Sequence, residues 1–452
     1  MKIIVVGNGK IGSLISEQLV QEGHDVVAVD TQERVLKSLQ SRLDLICING
    51  NGATAKVLTE AGVMDADLVL SVSEKDELNL LCCLIARKLG AKHTIARVRT
   101  PEYSEQMDLI KNDLGLSMII NPDLATAQEI FALLRYPNVI SVEKFSKGKF
   151  ELAEMLIEDD CLLTQAPLHT IMANHGFRAL ICTVRRGSET FIPNGDFQIQ
   201  KGDVVSLSAQ SEVMEEALKA AGIKSRVPRK IMIVGAGRIA IYLMEMMQKI
   251  GMNPTVIDSD LERCRDISIR FPNALVIRSD GTEKETLFEE GFTDTDAFLA
   301  LTGTDEVNIL LGMNAINYDI QKVFTKISRN SLLELTESGE AGTVVSPGRI
   351  IADRVISYVR ATATAGHGDV EALYHVANGT AEVVEFGVVD QNVKLTNIPL
   401  KDLKLKKDLL ICCIIRNGKA IIPSGNDMIM EKDHVVVVTA NRRLNSLNEI
   451  LR

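Results

Sequence analysis

Residues 2–12, KIIVVGNGKIG, return as KIMIVGAGRIA at 230–240, and the correspondence runs on along the chain. Gly7, Gly9 and Asp30 match Gly235, Gly237 and Asp258 at an offset of 228. DADLVLSVSEKDELNLL from Asp65 matches DTDAFLALTGTDEVNIL from Asp294 at 229, and NPDLATAQEIFALLR from Asn121 matches SPGRIIADRVISYVR from Ser346 at 225. ICTVRRGSETFIPNGDFQIQKGDVV from Ile181 then matches ICCIIRNGKAIIPSGNDMIMEKDHVV from Ile411 at 230. A duplication of this length constrains the fold before any single motif does: whatever one half forms, the other repeats.

Each copy has two parts. In the first, short apolar runs rich in Val and Ile at 2–6, 25–29, 44–48, 67–72, 93–98 and 117–120 alternate with segments of helical period. That alternation predicts parallel strands with crossover helices, a Rossmann-like doubly wound α/β sheet. The second part, about 150–215 and again about 380–445, consists of short alternating segments broken by RRG, PNGD and KGD, then RNG, PSGND and EKD. It reads as a small α+β module with one helix, LHTIMANHGF from Leu168. The expected domains are 1–136 and 229–365 for the sheets and 140–222 and 370–452 for the modules, with SRVPRK at 225–230 as the linker.

Gly7-x-Gly9-x-x-Gly12 follows a strand, opens a helix, and precedes Asp30 at the end of the next strand. The first glycine permits a tight turn, the second lets backbone approach a pyrophosphate, and the third lets helix and strand pack closely. The helix start, residues Asn8, Lys10 and Ile11 included, then offers free N–H groups and the positive dipole end to an anion. Asp30 is placed to accept from ribose hydroxyls and to repel a 2′-phosphate, because Gln32 and Glu33 follow it; NAD is therefore expected over NADP. The second copy repeats the plan with Gly235, Ala236, Gly237, Arg238 and Ile239, places Ala240 at the third glycine, and keeps Asp258, followed by Ser259 and Asp260.

Further candidates lie at carboxyl ends of later strands, where a doubly wound sheet holds its ligand. Asn51 and Gly52, matched by Asp280 and Gly281, either meet the adenosine or simply make a turn. Ser73, Asp76, Glu77 and Asn79 match Thr302, Asp305, Glu306 and Asn308; Ser73 is either a contact residue or a helix cap. Arg97, matched by Lys326, either supplies a cation for phosphate oxygens, as a two-pronged fork in one copy and a point charge in the other, or makes a surface salt bridge. A dehydrogenase needs a general acid or base near its nicotinamide, and none is evident. Tyr318 and Lys322 have a suggestive spacing but fall on a helix-to-strand turn, with Leu89 and His93 at the matched positions. The seven His form no metal-ligand spacing, so no metal is expected.

The net charge of -10 argues against a nucleic-acid partner. The eight Cys include no C-x-x-C pair and sit mostly in apolar stretches, which fits a reducing, cytoplasmic compartment. No apolar run is long enough to cross a membrane, and the N-terminus lacks a signal peptide.

Tandem glycine-cradle sheets, small modules bearing IPNGD and KGD, and the connecting NPDLATAQEI, with DADLVLSVSEKDELN and IARVRTPEY in order, resemble the TrkA family of regulatory proteins of Trk-type potassium uptake. The resemblance spans essentially the whole chain. It implies RCK (KTN) nucleotide-binding domains alternating with TrkA-C domains, and a cytoplasmic regulatory subunit rather than an enzyme. It also implies NAD(H) and ATP or ADP as ligands, assembly as a homodimer or homotetramer, and docking on a membrane potassium-translocating subunit of the TrkH or TrkG type. The chain departs from the family pattern at Asn51, often Asp, at Ala240, and at Lys326 in place of Arg. Two alternatives stay open at this stage: an NAD-dependent oxidoreductase, or a regulatory subunit of another cation transporter.

Overall fold

The structure is a computed structural model of the 452-residue chain. It describes all residues except 105–110, 112, 137–138, 146–149, 158–160, 176–178, 188, 223–227, 334–335, 337–339, 366–369, 377–379, 389–393, 441–443 and 445. Half of the expected linker at 225–230, residues 225–227, lies outside the described residues.

The first copy opens with β1 Lys2–Val6, β2 Asp25–Asp30, β3 Ile46–Asn49, β4 Leu68–Ser71, β5 His93–Arg97 and β6 Met118–Ile120. All pair in parallel, in the order β3-β2-β1-β4-β5-β6. Ile3, Ile4 and Val5 are fully buried, as a strand covered on both faces requires, and each such side chain contributes about 1.5–3 kcal/mol. One face packs Ile4, Val6, Val27 and Val69 against Leu58, Cys82 and Ala86 of the helices Ala55–Glu60 and Asp76–Lys88. The chain then forms an antiparallel sheet of β7 Val139–Phe145, β8 Phe150–Leu156, β9 Leu180–Arg186, β10 Glu189–Phe191 and β11 Val204–Gln210, ordered β10-β9-β11-β8-β7. Here β7 starts before the β-rich segment read at about 150, because its Val-Ile-Ser-Val-Glu-Lys-Phe alternates weakly. The expected helix is present as Leu168–His175, joined by Met214–Ala220.

The second copy repeats both sheets. Strands β12 Ile231–Val234, β13 Thr255–Asp258, β14 Leu275–Arg278, β15 Ala297–Ala300, β16 Lys322–Lys326 and β17 Thr343–Val345 are ordered β14-β13-β12-β15-β16-β17. Strands β18 Val370–Val376, β19 Ala381–Gly387, β20 Leu409–Arg416, β21 Lys419–Ile421 and β22 His434–Ala440 are ordered β18-β19-β22-β20-β21.

By contacts the chain divides into two compact units, residues 1–131 with 228–356, and 132–227 with 357–452. Each unit therefore pairs like with like from the two copies. Within the second unit one core draws Phe145, Phe150, Leu152 and Cys182 together with Val383, Cys412, Cys413 and Val436. All eight Cys are free thiols and seven are buried.

Within the first unit, the helix Pro122–Arg135 carries Glu129 and the helix Pro347–Ala365 carries Asp353 and Arg354. Burial pushes the Glu129 carboxyl up from 4.5 to about 7, with Arg354 opposing and Asp353 assisting. The folded state thus holds this proton more tightly than the unfolded chain, so the associated stability is full below about pH 4.5 and is lost as pH rises to about 7. Glu129→Gln is expected to flatten the stability-versus-pH curve across that window, measured by urea unfolding at stepped pH. Parallel curves for the variant and the parent would refute the assignment.

Candidate functional site

The turn after β1 uses Gly7 at φ +87°, and a side chain there would meet the Ser73 amide nitrogen at 2.6 Å. Gly235 repeats this at φ +108°, 2.7 Å from the Leu301 carbonyl. These two positions require glycine on both counts, conformation and space. Gly9 and Gly237 face open space where a Cβ would touch nothing, and they begin the helices Lys10–Gln21 and Arg238–Gln248 with no side-chain cap. The first-turn N–H groups of both helices are thus left for an anion. A Cβ at Gly12 would overlap the Gly7 carbonyl, whereas Ala240, buried, occupies the matched place in the second copy.

The aspartates do more than wait for a ribose. Asp30 Oδ2 accepts from the Asn8 amide at 2.6 Å and Oδ1 from the Gln32 amide at 2.8 Å. Asp258 accepts from the Ala236 and Asp260 amides at 2.7 and 2.8 Å. Each carboxylate thereby pins its glycine turn to the end of the neighbouring strand. The expectation that no basic residue stands beside either is corrected for the second copy, where Arg263 Nη1 lies 3.8 Å from Asp258 Oδ2. Helical geometry is the reason: Arg263 lies in the first turn of the helix Leu261–Arg270, five residues along the chain from Asp258. The Asn8 side chain serves the scaffold. It is buried, donates to the Val5 and Val29 carbonyls and accepts from Ser16, so only its backbone faces the cradle.

Asn51 and Asp280 make turns: Asn51 Oδ1 accepts from the Ala53 amide at 2.9 Å, and Asp280 from the Thr282 amide and hydroxyl at 2.9 and 2.8 Å. Their glycines serve packing, since a Cβ at Gly52 or Gly281 would overlap Val6 or Val234. Ser73 is no cap, because the helix starts at Asp76 after Lys75. Instead buried Asn79 holds it, accepting from the Ser73 amide and hydroxyl at 2.8 and 2.7 Å and donating to the Ser73 and Arg97 carbonyls at 3.0 and 2.9 Å. Asn308 does the same for Thr302 and Lys326. The ends of the fourth and fifth strands are thus tied to each other in both copies.

Arg97 is 6% exposed; it donates to the Ser73 carbonyl, and its Nε has no partner among the described residues. Burial, then Arg99, pulls its pKa down to about 10, and burial lowers Lys326 too. Neither cation has a paired carboxylate among the described residues: Asp76 accepts from the Arg99 and Thr100 amides and the Thr100 hydroxyl, and Asp305 from the Ser328 and Arg329 amides. Sequence reasoning recorded Asp76 and Asp305 as matched acids without seeing these clamps, whose partners lie over 20 residues away.

The cradles also touch across the copies. Arg238 Nε meets Asp123 Oδ2 at 2.8 Å, and the Tyr242 hydroxyl accepts from Asn121 and donates to the Arg99 carbonyl, each at 3.0 Å. Duplication places Leu14 opposite Gly348 at the matched contact, so one side is polar and the other apolar. Tyr318 packs on Phe288 and Phe292 just after the helix Asp305–Asn317, and Lys322 begins β16, so the two do not share one helix face.

Comparison with known proteins matches a family model described as the TrkA-N domain to residues 3–122 and 231–347, and one described as the TrkA-C domain to 154–222 and 384–452. A "Trk system potassium uptake protein TrkA homolog" of Archaeoglobus fulgidus is 31% identical over 452 residues, covering all of both chains. The "Trk system potassium uptake protein TrkA" of Haemophilus influenzae is 27% identical, covering 98% of this chain and 96% of its own. Among solved structures, the GsuK RCK domain aligns with a TM-score of 0.65 at 16% identity over 97% of this chain and 92% of its own, a likeness of fold.

Two substitutions test this scaffold. Gly52→Ala should cost about 1–3 kcal/mol through overlap with Val6, and less in a Val6→Ala background; strictly additive losses in thermal unfolding would contradict the contact. Asn79→Ala should cost about 2–4 kcal/mol, because it strands buried groups on two strand ends. A change below about 0.5 kcal/mol, the range of ordinary surface substitutions, would show that those bonds are not structural.

Proposed function

Because the chain belongs to the TrkA family, we propose that it is a nucleotide-binding regulatory subunit of a potassium-uptake system. Its cradles take NAD(H) and ATP or ADP, and it acts on a membrane potassium-translocating partner of the TrkH or TrkG type from the cytoplasmic face of the cell membrane, as a homodimer or homotetramer. The supporting observation is the doubled cradle: two uncapped helix starts, each backed by a glycine turn that an aspartate pins, and each flanked by a cation, buried Arg97 or part-buried Lys326, with no carboxylate paired to it among the described residues. Such a site binds an anion with fixed amides and charge. No described helix is long and apolar enough to cross a membrane, which fits a subunit that works on a separate translocating protein.

A ligand shifts a gate only by binding its two states differently. The handles available to phosphates are Gly9 and Gly237 at the turns and Arg97 and Lys326 at the fifth strands. Arg238 links the second turn directly to Asp123 of the first copy, so filling one cradle is felt at the contact with the other. A dinucleotide and a triphosphate share the adenosine but place their anionic charge differently, and thereby favour different arrangements. The site residues in this reading are Gly7, Gly9, Lys10, Ile11, Gly12, Asp30, Ser73 and Arg97, and in the second copy Gly235, Gly237, Arg238, Ile239, Asp258, Thr302 and Lys326.

Calorimetry with the full chain tests the reading. Asp30→Asn should weaken NADH binding at the first cradle about tenfold to a hundredfold, since a charged acceptor for ribose hydroxyls is lost. NADPH should be excluded from the first cradle but tolerated at the second, and Arg263→Ala should remove that tolerance. Unchanged NADH affinity in Asp30→Asn would overturn the site assignment. Steady consumption of NADH with any of a panel of carbonyl substrates would favour the oxidoreductase alternative.

A further inference from the structure

We infer that Cys182 and Cys412 form a redox clamp: oxidation joins them in a disulfide that locks the two β modules together. Of the eight Cys, these alone occupy matched positions, at the offset of 230 that relates the modules. Both are fully buried, and both belong to the core in which Phe145 and Phe150 of one module meet Val383 and Val436 of the other. The remaining Cys have no Cys at the matched place, so equivalent thiols face each other at this point of the shared core and at no other.

A break in register delivers each of them. The ladder of β9 with β11 skips Cys182 between Ile181 and Thr183, and that of β20 with β22 skips Cys412 between Ile411 and Cys413. Each Cys is therefore the extra residue of a bulge, which re-aims its side chain. Cys413, next along the strand, stays in the ladder opposite Val436. Cα atoms of β9 and β20 come within 8 Å of one another, closer than the ~10 Å between ordinarily stacked sheets. A disulfide spans Cα atoms roughly 4.4–6.8 Å apart, a spacing open to sheets this close and closed to ordinarily stacked ones. The Cys412 thiol donates to the Val436 carbonyl at 3.3 Å, the Cys182 thiol to the Ser208 hydroxyl at 3.1 Å, and the two thiols interact directly.

The oxidant is hydrogen peroxide, small enough to enter the core when it opens. One thiolate sulfur attacks a peroxide oxygen, the O–O bond breaks, and a sulfenic acid and hydroxide result. The second sulfur then displaces the sulfenic OH, the S–S bond forms, and the OH leaves as water with a proton. Two thiols lose two electrons in all, and one peroxide is reduced to two waters once the remaining thiol proton meets the first hydroxide. Burial pushes the Cys412 thiol well above its ordinary range, so little thiolate exists in the closed core and the reaction waits on its opening. Before oxidation the modules are held by packing alone. Afterwards a bond between residues 230 positions apart holds them, and any response that needs the modules to part is switched off.

The clamp does not depend on the nucleotide reading, and its test uses nucleotide-free, full-length protein kept for hours in millimolar hydrogen peroxide, then denatured, alkylated and digested for mass spectrometry. Free thiols should fall by two from the eight of the reduced chain, and the one linked peptide pair should carry Cys182 and Cys412. The thermal midpoint of the modules should rise by roughly 5–10 °C and return on reduction with a dithiol. Urea too dilute to unfold the chain should speed the linkage, because it raises the open fraction of the core. Cys182→Ala and Cys412→Ala should each keep every remaining thiol and lose the thermal shift; if either variant fails to fold, the linked peptide of the parent decides alone. Retention of all eight thiols by the parent, or linkage of either residue to Cys413 instead, would overturn the clamp.

Discussion

The loop after the first strand of each parallel sheet passes so close to the loop after the fourth that no side chain fits between them. Everything in the cradle depends on that approach. Gly7 and Gly235 permit it, and the carboxylates of Asp30 and Asp258 hold the turn to the second strand. Asn79 and Asn308 hold the opposing loop to the fifth strand. Three strand ends are thereby fixed relative to a helix N-terminus by bonds that no ligand supplies. The surface proposed to bind an anion is preorganised, and the cost of ordering it is met during folding rather than at binding.

The parallel sheets were legible because their strands are buried on both faces and therefore read as unbroken apolar runs between helices, and because everything appeared twice. Strand limits were less so: the run at 44–48 is paired only over Ile46–Asn49, since Leu45 is buried without belonging to the ladder. The glycines and aspartates announced a cradle by spacing. What the spacing could not convey is how the polar groups divide their bonds. Asn8 looks like a ligand contact in the linear motif, yet its amide group is spent on Val5, Val29 and Ser16. Arg263 reaches Asp258 through helical geometry, and Cys182 meets Cys412 through paired bulges; both are facts of three dimensions.

The two copies have diverged at their mutual contacts more than in their frameworks. Tyr242 with Asn121 and Arg238 with Asp123 form a polar seam on one side, while Leu14 beside Gly348 marks the other. Buried hydroxyl and amide groups need partners, so such a seam tolerates fewer geometries than an apolar one. The cradle bordered by Arg238 is correspondingly the one whose position is more strictly specified.

The shared core of the β modules, where Cys182 and Leu152 of one copy meet Cys412 and Val436 of the other, has a further meaning. In an assembly of two identical chains every substitution arrives on both sides of the axis, and an interface residue must suit its own image. Here the two sides are separate stretches of one gene, so a change arrives once. The interface is free to acquire a left and a right hand, and a protein with distinguishable halves can answer two different signals with one body.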